Sequence, residues 1–90
     1  MISNEQRRTL KKEAHKLSSF TSIGKNGLSE NLISQVKNYL KVHHLCKIKI
    51  LRTFLDESNL EKSEVAKTLA EKTKSELVQL VGLTAILYKK

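Results

Sequence analysis

Residues 19–50 read SFTSIGKNGLSENLISQVKNYLKVHHLCKIKI, and the order of patterns in this stretch decides the architecture. A short β-prone run, residues 19–23, ends at Gly24. Gly24, Lys25, Asn26 and Gly27 follow, placing two of the chain's three glycines around a positive charge. Ser29 then stands where a helix N-cap belongs, and Glu30 falls in the first turn, where an acid favours the helix dipole. Leu32, Ile33, Val36 and Leu40 recur as a buried helical stripe, with Tyr39 a further candidate. Lys37 and Lys41, four apart, sit on a more exposed face. From residue 45 the period changes to two. Cys46, Ile48 and Ile50 point one way, and Lys47, Lys49 and Leu51 the other, which predicts a half-buried strand with a basic outer face across residues 45–54.

The flanks extend this strand–loop–helix–strand unit. Upstream, residues 3–19 (SNEQRRTLKKEAHKLSS) read as a helix with a capping box from Ser3 and Gln6. Leu10, Ala14 and Leu17 form its buried stripe, and Arg7, Arg8, Lys11, Lys12, His15 and Lys16 take most of the remaining circumference. Downstream, LDESN (residues 55–59) reads as a polar connection. Ser58 and Glu61 repeat the capping-box pattern, and Val65, Ala66, Leu69 and Ala70 mark a third helix ending near Thr73. SELVQLV and TAILY then form two strands joined at Gly82-Leu83, a two-residue turn suited to type II′. The expected order is α-β-α-β-α-β-β. This is an α+β fold whose four-stranded mixed sheet carries helices packed on it, with parallel neighbours across the helices and an antiparallel last pair.

Ninety residues make one domain, taken as 1–90, with a modest core and little room for a deep substrate cavity. With no apolar run of membrane-spanning length and no apolar signal stretch, a cytoplasmic, soluble chain is expected. Cys46 is the lone cysteine, so no internal disulfide can form. Charge is more informative. Residues 1–54 hold eleven basic and three acidic side chains, against six and six in residues 55–90, so the whole net charge of +8 belongs to the first half. A one-sided basic field attracts polyanions.

A strand that ends in G-x-x-G and feeds a helix offers bare backbone, unpaired first-turn N–H groups and a partial positive charge, with Lys25 adding a full one. That suits a sugar–phosphate backbone, as in the glycine clamp of KH modules, although a plain turn would use the same glycines. A Walker loop and a dinucleotide fingerprint are both excluded by the glycine spacing. His43, His44 and Cys46 lack a second ligand pair with zinc spacing, so no metal or other cofactor is expected. Cys46 faces the core phase of its strand, unlike an activated nucleophile. Asp56, Glu57, Glu61 and Glu64 look like helix-end acids and a solvated face. Without a nucleophile, base and oxyanion site together, the chain is read as non-enzymatic, with no small-molecule substrate. Tyr88 beside Lys89 and Lys90 could stack on a base, but four aromatic residues in all argue for backbone and shape contacts over stacking.

GKNGLS between a short strand and an amphipathic helix resembles the signature loop of the CRM domain family, the chloroplast RNA splicing and ribosome maturation domain with stand-alone YhbY-like members. HHLCKIKI, the closing VGLTAILYKK and the basic helix ending in KLSS extend the resemblance over nearly the whole chain, in order. It implies a fold like the C-terminal domain of translation initiation factor 3. It also implies RNA binding by Gly24, Lys25, Asn26 and Gly27 with adjoining basic surface, including Lys47 and Lys49. Basic residues of the first two helices, Arg7, Arg8, Lys11, Lys12, Lys37 and Lys41, complete the expected interface. Stand-alone relatives are associated with large-subunit precursors, and multi-domain plant relatives with group II intron splicing. The short tail after Tyr88 favours ribosome assembly, on ribosomal RNA or a pre-50S particle, with the chain a monomer. A ribosome-associated protein-interaction module and a splicing cofactor are the alternatives. Membrane binding is disfavoured by the lack of Trp or Phe on the first helix's apolar stripe.

Overall fold

The computed structural model describes residues 2–24 and 27–89. Helix α1 (Asn4–His15) opens with the capping box read from the sequence: the Gln6 amide donates to the Ser3 hydroxyl, and the Ser3 amide donates to the Gln6 side chain. Strand β1 (Thr21–Ile23) leads through the glycine loop to α2 (Glu30–His43), where the Ser29 hydroxyl accepts from the Leu32 amide. Then come β2 (Leu45–Ile50), α3 (Arg52–Ser58), α4 (Lys62–Lys72), β3 (Glu76–Val81) and β4 (Thr84–Tyr88).

The strands form one sheet in the order β1-β2-β4-β3. β1 and β2 are parallel, while β4 runs antiparallel to both β2 and β3. The α+β class and mixed sheet are those expected. The hairpin also matches, since Gly82 holds φ +57° at the first central position and Leu83 does not share the left-handed conformation.

One stretch departs from expectation. The strand stops at Ile50, and residues 52–58 are helical, so the order is α-β-α-β-α-α-β-β. The alternation seemed to run on because Leu51 and Phe54 are β-compatible. However, β1 supplies only three residues of pairing, and beyond Ile50 the β2 backbone has no ladder to extend. Leu51, Phe54 and Leu55 instead follow the i, i+3, i+4 spacing of one helical face, with Leu51 at the N-cap and Phe54 and Leu55 packed on the core. The capping box at Ser58 also fails. Ser58 closes α3, Asn59 takes the left-handed φ of +57°, and α4 begins after Glu61 with no side-chain cap.

Each face of the sheet has its own apolar layer. On one, Cys46, Ile48, Ile50, Ile23 and Leu87 meet Leu32, Val36 and Leu40 of α2 and Val65 and Leu69 of α4. On the other, Leu10 and Ala14 of α1 cover Leu45, Val78 and Ile86. Arg7 secures α1 from its side: its guanidinium donates to the carbonyls of Leu77 and Val78, where the β3–β4 register shifts. α1 covers only the end of this face where β2 and β3 begin.

Cys46 is fully buried, and burial pushes its thiol up from 9.0 to about 12. The folded protein therefore keeps a proton that the unfolded chain releases, and this contribution to stability is lost as pH rises from about 9 towards about 12. A thiol reagent at mildly alkaline pH should modify Cys46 only as fast as the protein unfolds, and Cys46→Ala should flatten the alkaline loss of stability. Rapid labelling of the native protein would show the site to be open.

Candidate nucleic-acid interface

The glycine loop sits where three elements meet. Gly27 donates its amide to the Gly24 carbonyl at 2.8 Å, closing the turn, and the Leu51 amide donates to the Ile23 carbonyl at 3.0 Å, fixing the end of β1. Lys25 and Asn26, the loop residues expected to touch phosphate, lie outside the described residues. Both flanking glycines have close neighbours beneath them. A Cβ on Gly24 would stand 2.9 Å from Leu51 Cδ1, and one on Gly27 would stand 2.9 Å from the Phe54 ring. Gly27 also holds φ +59°, so it answers two demands at once. Helix α3, unforeseen from the sequence, is therefore the floor of the loop. Its Leu51–Phe54–Leu55 spacing was the signal that could have revealed it.

Above that floor the loop opens into a shallow groove of about 410 Å³, bounded by Ser22, Gly24, Gly27, Ser29, Asn31 and Gln35. Its wall along α2 is neutral and hydrogen-bonding. Lys37 and Lys41 are not on it. At about 100° per residue, Lys37 stands about 200° and Lys41 about 240° around the helix from Gln35. The two lysines expected in the interface thus lie on a different side of α2 from the groove wall.

Ser22 connects the groove to the open end of the sheet. It pairs with Lys49, which pairs with Thr84, which pairs with Val81, so these four side chains form a row on the α1 side of the sheet, running from the groove at Ser22 to the C-terminal end of α1 at His15. Lys49 is exposed there. Lys47, two residues back and half-buried, donates to the Leu17 carbonyl at 3.4 Å and borders a small hollow with His15, Val81 and Thr84. Lys11 lies one helical turn before His15 on the same flank of α1, and Arg8 and Lys12 are exposed on its outer surface. Arg7 belongs to the fold more than to this surface, because its guanidinium is held on the β3 carbonyls. Long-range charge follows the same division, for Asp56, Glu57, Glu61 and Glu64 are exposed on α3 and the start of α4, whose helices serve the opposite sheet face.

The sequence cluster His43, His44 and Cys46 disperses. His43 stacks on Tyr39 with ring centroids 4.3 Å apart. His44 takes the left-handed C-cap of α2, and its Nδ1 donates to the Lys89 carbonyl at 3.0 Å. Cys46 faces the core. Among the described residues, no helix is long and apolar enough to cross a membrane.

This fold, with a glycine loop between β1 and α2 and a basic sheet face beside it, has known counterparts. The family model of the CRS1 / YhbY (CRM) domain matches residues 2–89. The "Probable RNA-binding protein YqeI" of Bacillus subtilis is 34% identical over 89 residues, covering 99% of this chain and 88% of the relative. An "RNA-binding protein" of Haemophilus influenzae is 30% identical over 88 residues, covering 98% and 85%. In three dimensions, the solution structure of the hypothetical protein SAV1595 from Staphylococcus aureus superposes with a TM-score of 0.79 at 36% identity, covering 100% of this chain and 90% of that one. The chain belongs to the CRS1/YhbY (CRM) family.

The two glycines should respond differently to substitution. Gly27→Ala forces a left-handed alanine against the Phe54 ring and should cost about 1–3 kcal/mol in chemical denaturation. Gly24→Ala needs only a rotation of the Leu51 methyl and should cost under about 1 kcal/mol. Equal costs would show that Phe54 does not support the loop.

Proposed function

We propose that this protein binds RNA without catalysing a reaction on it, gripping the sugar–phosphate backbone at the Gly24–Gly27 loop and carrying the strand onto the open sheet face. The observation that supports this most directly is continuity. Ser22 lies in both the loop groove and the Lys49 row, so a polyanion leaving the loop meets cations without crossing a barrier. The first turn of α2 contributes N–H groups that have no partner within the helix, together with the positive end of its dipole. Arg8, Lys11, Lys12, Lys47 and Lys49 supply the positive charge. Lys25 and Asn26 belong to the same reading by their place in the loop. Lys37 and Lys41 are left out of the interface, and Arg7 acts through the seating of α1.

Ribosomal RNA within a large-subunit precursor is the target we favour, with the whole chain acting as one monomeric domain in the cytoplasm. Support for that target comes from the family likeness, in which stand-alone members are linked to ribosome assembly. The names of the two relatives above, both RNA-binding proteins, agree with the broader reading. A splicing role and a protein-docking role on the ribosome are the competing assignments, and RNA crosslinked to the protein in cells would separate them by its sequence.

The interface is best tested at Gly24, because Gly27 also holds φ +59°, where any side chain is strained. Gly24→Asp adds a carboxylate at the groove mouth and should weaken binding to a structured ribosomal RNA fragment at least about tenfold, while the thermal midpoint stays near that of the parent. Lys49→Ala should weaken binding and reduce the log–log salt slope by about 0.7–0.9, the value of one phosphate contact. Full affinity in a folded Gly24→Asp variant would remove the loop from the interface.

A further inference from the structure

Three rings form a column at the far end of α2. Phe20, immediately before β1, lies 4.2 Å from Tyr39, and Tyr39 lies 4.3 Å from His43 in a stacked arrangement. The column is not sealed. Phe20 is 37% exposed and His43 is exposed, so only the middle ring is held against the core. Beside it opens a hollow of about 320 Å³ with an apolar floor of Leu17 and Leu45, a ring wall of Tyr39 and His43, and Glu13 and Lys16 on the rim.

Two features connect this hollow to the groove at the loop. Asn31, Gln35, Tyr39 and His43 recur every four residues, so they form one i, i+4 ridge that turns about 40° around α2 at each step. Asn31 and Gln35 border the loop groove, and Tyr39 and His43 border the hollow. The ridge rises about 18 Å along the helix axis from Asn31 to His43, at about 1.5 Å per residue, while winding about 120° around it. A backbone anchored at the glycine loop would need only a few nucleotides to reach the rings, since stacked nucleotides advance about 3.4 Å each.

We propose that the hollow at Tyr39 and His43 is a second RNA contact, a stacking site for one unpaired nucleobase of the strand held at the glycine loop; it rests on the RNA-binding reading above. Each part of the lining has a role suited to a base. The imidazole of His43 offers a flat face to the π-surface, and Leu17 and Leu45 exclude water from the base edge. Lys16 stands ready for the adjoining phosphate. Glu13 can accept from an exocyclic amine, as acids do from cytosine N4, which favours adenine, cytosine or guanine over uracil. The site gives the protein a preference for single-stranded segments next to its backbone clamp. The small aromatic count does not oppose this, because two of the four, Phe20 and Tyr39, are gathered in one place with His43.

The chain has two tyrosines and no tryptophan, so a Tyr88→Phe background leaves Tyr39 as the sole phenol emitter. Single-stranded oligoadenylate should quench Tyr39 fluorescence, whereas inorganic polyphosphate, which presents charge without bases, should not. His43→Ala should weaken oligoadenylate binding at least about fivefold, the lower end of base–aromatic stacking, with an unchanged thermal midpoint, and His43→Phe should restore affinity. If labelled oligoadenylate binds but Tyr39 stays unquenched and His43→Ala keeps full affinity, the stacking site is overturned while RNA binding stands. If neither oligoadenylate nor a ribosomal fragment binds at all, both proposals fall together.

Discussion

The backbone of Gly27 resting on the ring of Phe54 is the contact on which the rest of the arrangement depends. It brings the α3 segment directly beneath a loop that would otherwise project from the end of β1, and it does so only because Gly27 has no Cβ and accepts φ +59°. Leu51 makes the equivalent contact beneath Gly24 while its amide bonds to the Ile23 carbonyl. The loop is thus supported from below and open above. A rigid seat of this kind lowers the entropy that binding must otherwise remove, and it fixes the direction in which the α2 amides and dipole point.

Around this seat, charge and polarity are sorted by element. α1 and the outer positions of β2 give one side of the sheet an excess of cations, whereas on α3 and α4, which serve the other, Asp56, Glu57, Glu61, Glu64 and Glu71 offset Arg52, Lys62, Lys67 and Lys72. A polyanion approaching the molecule is therefore drawn towards the side of the sheet that carries α1, the more positive of the two. The flank of α2 beside the loop carries the neutral amides Asn31 and Gln35. Neutral amides along a groove permit hydrogen bonding to sugar and base edges without adding to the salt-dependent grip of the backbone.

Much of this was legible in the sequence because the signals were local. The capping box at Ser3, the N-cap at Ser29, the two-residue turn at Gly82 and the alternation of Cys46, Ile48 and Ile50 each depend on neighbours a few residues away, and each reappears in the structure. What could not be read depended on partners distant in the chain. Strand β2 stops at Ile50 because β1 supplies only three residues of pairing, a limit not written in residues 51–54 themselves. Arg7 looked like one more surface cation, and only the register shift in β3, some 70 residues away, gives its guanidinium carbonyls to hold. Lys37 and Lys41 were expected in the interface as cations of the second helix, and helical phase sets them away from the Gln35 wall of the groove. The glycines were read for what they could offer a ligand, and the structure adds what they allow from beneath.

The most direct measurement is a residue-by-residue map of amide chemical shifts as unpaired RNA is titrated into the labelled protein. The expected pattern has its largest changes at Ser22, Gly24, Gly27 and the first turn of α2, extending to Lys49, with α3 and α4 changing little. Changes concentrated on the outer surface of α4, with Gly24 and Gly27 unmoved, would contradict the view that this supported loop is where RNA is held.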